Sequence, residues 1–65
     1  MSIAKVIEII AEGKSIDDAV ENAAKEASKS VRNVKSVYVD SIQALIKDEG
    51  VSKYRVNCKV TFVVD

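Results

Sequence analysis

Sixty-five residues carry ten basic and ten acidic side chains, no histidine, no proline and a single cysteine. Balanced charge leaves no basic field for a phosphate backbone, so general nucleic-acid binding is excluded. One cysteine and no histidine exclude an internal disulfide, a Cys/His zinc site and Ser-His-Asp or Cys-His catalysis.

A chain of this length makes one domain, taken as residues 1–65. It buries only roughly 60% of its unfolded surface, and without disulfides or metal the usual remedy is oligomerisation. No apolar run approaches a membrane span. Met1-Ser2-Ile3 leads directly into a strand without a secretory pattern, and the lone cysteine suits a reducing compartment, so a cytoplasmic location is expected.

The first element, Ile3 to Ala11, is apolar on both alternating sets: Ile3, Ile7, Ile9 and Ala11 on one, Ala4, Val6 and Ile10 on the other. Such a strand is covered on both faces. One helix covers one of them, and a second subunit is expected on the other. Gly13 and Lys14 form a turn. Ser15 is an N-cap, and Ser15-Ile16-Asp17-Asp18 resembles a capping box that also places two acids at the positive end of the helix dipole.

The helix is predicted from about Ile16 to Arg32. Its apolar stripe, Ile16, Ala19, Val20, Ala23, Ala24, Ala27 and Val31, follows the i, i+3, i+4, i+7 spacing. The alanines allow close packing. Asn33 ends the helix by tolerating left-handed geometry.

Val34 to Lys47 is the second strand. Its alternation changes phase between Val37/Val39 and Ile42/Ala44/Ile46, which predicts a bulge near Asp40-Ser41 or a change of buried face along the strand. Asp48-Glu49-Gly50 is the hairpin turn, with Gly50 expected to take positive φ. From Tyr54 to Val64 the even positions read Tyr54, Val56, Cys58, Val60, Phe62 and Val64, a strand with one face in a core. The fold class is α+β, in the order β-α-β-β: a three-stranded antiparallel sheet wrapped around one helix.

Cys58 reads as a buried small hydrophobe. Glu8 and Asp40 are acids inside strands. They are candidate metal ligands or perturbed acids, or they are ion-paired with a residue such as Arg55 or Lys5, or exposed. Tyr54 belongs to the core face, and Tyr38 is the candidate for a partner surface.

The length, the element order and several local signatures together resemble the dodecin family. The signatures are Lys5-Val6-Ile7-Glu8-Ile9-Ile10, Ser15 opening an alanine-rich helix, Val31-Arg32-Asn33-Val34, Glu49-Gly50 leading into Tyr54-Arg55-Val56, and Val60-Thr61-Phe62. The resemblance implies a hollow homododecamer that binds flavins such as riboflavin or FMN in pairs and stores them without turnover. It also implies where this chain departs. The flavin-stacking tryptophan of the family is matched by Ser36, and the glutamine that bonds the ring edge by Arg55. An aromatic stack is worth about 0.5–1.5 kcal/mol beyond area. The resemblance therefore makes Ser36, Tyr38 and Arg55 the ligand residues and weakens the expected flavin affinity. Some tryptophan-lacking members look like metal-ion binders, so Ca²⁺ at Glu8 and Asp40, with Ser36, Ser41 and backbone carbonyls contributing, is the alternative, and a structural oligomer without a small ligand is a third reading.

Overall fold

The computed structural model describes residues 3–64; the reading of Met1 and Ser2 lies outside them. Strand β1 runs Ile3–Gly13, helix α1 Ile16–Ser30, strand β2 Val34–Lys47 and strand β3 Gly50–Val64. All pairing is antiparallel, and the sheet order is β1-β3-β2. The last strand in the chain is thus the central one. That position explains its clean alternation: Val56, Cys58 and Val60 are fully buried and Phe62 nearly so.

The helix lies over this face. Ala19, Ala23 and Ala27 are completely buried against Val56, Cys58 and Val60, with Ile7, Ile9, Ala11, Val34, Val37 and Val39 packed around them. Alanine adds no bulk between helix and sheet, so the core consists of strand valines meeting an almost bare helix surface. Burying one such valine contributes about 1.5–3 kcal/mol. Tyr54, on the same face, is only half-buried because it lies level with the start of the helix.

Local signals set the ends of the elements. The Ser15 hydroxyl accepts from Asp18 N–H at 3.0 Å, and Asp18 Oδ2 accepts from the N–H of Lys14 at 3.0 Å. The capping box thus closes one residue earlier than usual, on Lys14. The helix stops at Ser30, two residues short of the expected Arg32. Val31 N–H still donates to the Ala27 carbonyl at 2.9 Å, but its backbone is already extended, and Asn33 is tied to the sheet. Asn33 takes φ 62°, its carbonyl accepts from Val63 N–H at 3.1 Å, and its Nδ2 donates to the Val63 carbonyl at 3.3 Å.

Strand β1 continues past the expected Ala11 to Gly13, because β3 is long enough to pair with it throughout. Gly13 therefore belongs to the strand and not to the turn. The expected bulge is present between Val39 and Ser41, leaving Asp40 without a partner. Register shifts also occur between Val34 and Ser36 and between Leu45 and Ile46.

At the hairpin the positive φ values fall on Asp48 (52°) and Glu49 (66°), and Gly50 has none. This corrects the expectation for Gly50. Lys47 pairs with Gly50, so the loop contains only Asp48 and Glu49, and a two-residue turn with both central residues left-handed is type I′.

The molecule is long, 51 × 18 × 14 Å, with a radius of gyration of 13.3 Å. A compact chain of this length would have a radius of about 11 Å. The excess comes from the β2–β3 hairpin, which projects beyond Gly13 and beyond the helix start. A fifteen-residue helix is about 22 Å long and leaves more than half of the long axis uncovered. Among the described residues no helix is long and apolar enough to cross a membrane.

Candidate ligand face

The sheet face away from the helix is built in rows that the register fixes. Glu12, Arg55 and Gln43 form one row across β1, β3 and β2; Ile10, Asn57 and Ser41 form the next. Glu8, Lys59 and Tyr38 follow, then Val6, Thr61 and Ser36. The centre of this face is polar because β3 buries its other side in the core. Along its β1 margin, the exposed apolar residues Val6 and Ile10 alternate with Glu8 and Glu12.

Ser36 is exposed beside Thr61, and Arg55 is half-buried beside Gln43. Their rows are separated by six residues of β3, roughly 20 Å of strand, so one protomer does not bring them together. Tyr38 lies between the two rows and is 64% exposed, a free aromatic face.

Glu8 and Asp40 are both exposed, on opposite edge strands with β3 between them. No ion pair among the described residues includes either acid, and Arg55 pairs elsewhere. Among the described residues no group of three acids or cysteines converges as a metal site.

The acid that engages Arg55 is Glu12. Its Oε2 accepts from Arg55 Nε at 2.9 Å and from Nη2 at 2.7 Å, and its Oε1 lies 2.7 Å from Lys53 Nζ. The helix contributes as well, since Asn22 Nδ2 donates to the Glu12 carbonyl at 2.8 Å. Hydrogen bonds from Lys53 and Arg55 hold the Glu12 carboxyl below its ordinary range. Its contribution to stability is present above the unfolded-state value and is lost as pH falls through the lowered folded one.

Sequence reasoning missed Glu12 because the strand was expected to end at Ala11. The available signal was its spacing from Glu8: four residues apart on a strand means the same face.

Asn57, two residues from Arg55 on this face, has a buried side-chain oxygen with no hydrogen-bond partner. Leaving such a group unsatisfied costs about 1–3 kcal/mol. Its neighbours across the sheet are Ile10, which has no side-chain donor, and Ser41 beside the bulge. Cys58 points the other way, fully buried, and desolvation pushes its thiol pKa up, which suppresses the reactive thiolate. A separate hollow of about 290 Å³ lies at the far end of the sheet, between Val31–Asn33 and Phe62–Val64. It is distant from Arg55 and is not part of this face.

The dodecin family model matches residues 3–65, and the chain belongs to the dodecin family. Solved structures share its fold from end to end. The tt0972 protein of Thermus thermophilus has a TM-score of 0.92 at 24% identity, covering 100% of this chain and 97% of that one. An arginine-to-alanine mutant of T. thermophilus dodecin gives 0.91 at 24% identity, covering 100% and 97%. Dodecin from Streptomyces davaonensis gives 0.91 at 23% identity, covering 98% and 96%. No curated protein matches the chain.

Proposed function

We propose that this dodecin is a non-enzymatic ligand-binding and storage protein that assembles as a hollow homododecamer and holds flavins weakly. The observation that carries the proposal is the incompleteness of the protomer. On the helix side of the projecting hairpin, Ile42, Ile46 and Val51 are 49%, 66% and 54% exposed. On the other face Val6, Ile10 and Tyr38 are uncovered, and the Asn57 oxygen has no donor. A marginal chain with apolar surface on both sides of its sheet gains most by burying it against copies of itself.

Weak flavin affinity follows from the residues available. Ser36 offers no π-face where the family stacks a tryptophan, and Arg55 replaces the ring-bonding glutamine with a cation held by Glu12. Ser36 and Arg55 would serve one ligand only if different copies supply them, since a single protomer keeps their rows apart. Bound Ca²⁺ would likewise need copies to join Glu8 and Asp40, because hard cations take six to eight oxygens.

Native mass spectrometry on gently purified protein, followed by quenching of riboflavin fluorescence, tests this function. A twelve-subunit mass with riboflavin binding well weaker than nanomolar is the expected result. A monomer or dimer removes the storage reading, and nanomolar riboflavin binding removes the argument from Ser36 and Arg55. Excess mass corresponding to bound cations supports the metal alternative.

A further inference from the structure

Among the described residues, the only ion pairs on the outer face are those of Glu12 with Arg55 and Lys53. Both Glu12 oxygens are engaged, one by the Nε and Nη2 of Arg55 and the other by Lys53 Nζ. The cluster sits where the three-stranded sheet becomes a two-stranded hairpin, held from the helix side by Asn22.

The three side chains are 32–49% exposed. Ion pairs this wet add little stability, typically about 0–1 kcal/mol. Their chemical consequence is larger. An arginine recognises phosphate by presenting two parallel N–H groups from one edge of its fork. In this chain the Nε/Nη2 edge is already taken by a carboxylate. A phosphate approaching Arg55 must displace Glu12 or lie beside a like charge, whereas an uncharged ring meets neither obstacle and can still stack on the guanidinium plane. One acid against two bases leaves the cluster at +1, and removing the acid's charge would leave it at +2.

We infer that Glu12 is a specificity-determining residue of the outer face: by taking the Nε/Nη2 edge of Arg55 and offsetting one of the cluster's two positive charges, it lowers the preference for the phosphorylated form of an aromatic ligand over the uncharged form. This rests on the proposed role of Arg55 as a ligand residue.

The test compares riboflavin with FMN on the intact assembly, wild type against Glu12→Gln, by fluorescence quenching at low and physiological salt. The expected result is riboflavin affinity within about twofold of wild type and an FMN gain of up to about fivefold, the range an exposed charge pair supports, shrinking with salt. Adding Arg55→Gln should abolish the Arg55-dependent part of that gain. An equal change for both ligands, or none for either, means that Glu12 is merely a surface partner of Arg55. If neither flavin binds either protein, the flavin reading fails by itself, and inorganic pyrophosphate decides the role of Glu12. A pyrophosphate-induced shift of the Arg55 Nε–H resonance in Glu12→Gln but not in wild type sustains the inference. An identical response in both overturns it.

Discussion

Two glycines in this chain do opposite things. A Cβ on Gly13 would lie 2.5 Å from the Ala19 nitrogen and 2.8 Å from the Asp18 carbonyl carbon. Those are backbone atoms of the first helical turn, so no side-chain rotation relieves the overlap. Gly13 is a glycine because the helix begins directly against the strand. Gly50 has open space around it and an ordinary φ. Gly13→Ala should therefore lower stability by about 1–3 kcal/mol, as overpacking does. Gly50→Ala should stay within about 0.5 kcal/mol of wild type. Urea unfolding at one fixed protein concentration measures both, and equal midpoints for the two variants would mean that the helix start yields freely. Neither role is visible in the sequence, where both glycines look like turn residues. The requirement at Gly13 is a tertiary contact, and the turn at Gly50 is made by its two predecessors.

At the scale of elements the β2–β3 hairpin has a local conflict. Its turn places Glu49 at φ 66°, a conformation that costs a non-glycine residue about 1–2 kcal/mol. Asp48 shares the geometry but belongs to the residue types that tolerate it. Glu49→Gly would create the Asp-Gly pair that type I′ turns favour. The net gain, after the larger unfolded-state entropy of glycine, should be on the order of 0.5–1 kcal/mol. A raised urea midpoint checks this; a lowered one would mean that Glu49 makes a compensating contact. The hairpin also shows what patterning reveals and what it hides. The bulge at Asp40 was legible because apolar residues change phase around it. The shift at Lys35 was not, since lysine and serine are acceptable on either side of an exposed strand. The shift near Ser52 was hidden similarly, because Val51 and Ile46 satisfy an apolar pattern in their own right. The Glu12 cluster escaped for a related reason: its meaning depends on how far β3 extends, which residues 3–13 do not encode.

As a whole molecule the protomer is a long ribbon with a helix over one part. The overhanging hairpin is the part least able to exist alone, since a two-stranded unit is marginal in water. Replacing both Ile42 and Ile46 with glutamate should dissociate any assembly that buries the helix-side face of the hairpin, while helical circular dichroism persists. Native mass spectrometry would show the shift to smaller species. An unchanged subunit number would place the copies against other surfaces, with the exposed β1 margin as the next one to probe. Element order and core face were readable from periodicity. The strand order was not, because alternation says which side of a strand is apolar and is silent about its neighbours.

That strand order has a consequence for synthesis. β1 and β2 touch only through β3, and β3 is made after both of them. While the chain is being translated, the helix alanines lack the β3 valines they pack on and the two flanking strands have no sheet to join. No native strand pairing can form until the third strand has left the ribosome. The nascent chain must hold Ile-rich β1 unpaired until β3 has emerged, and folding then has to close the loop from Ile3 to Val64 among its defining contacts.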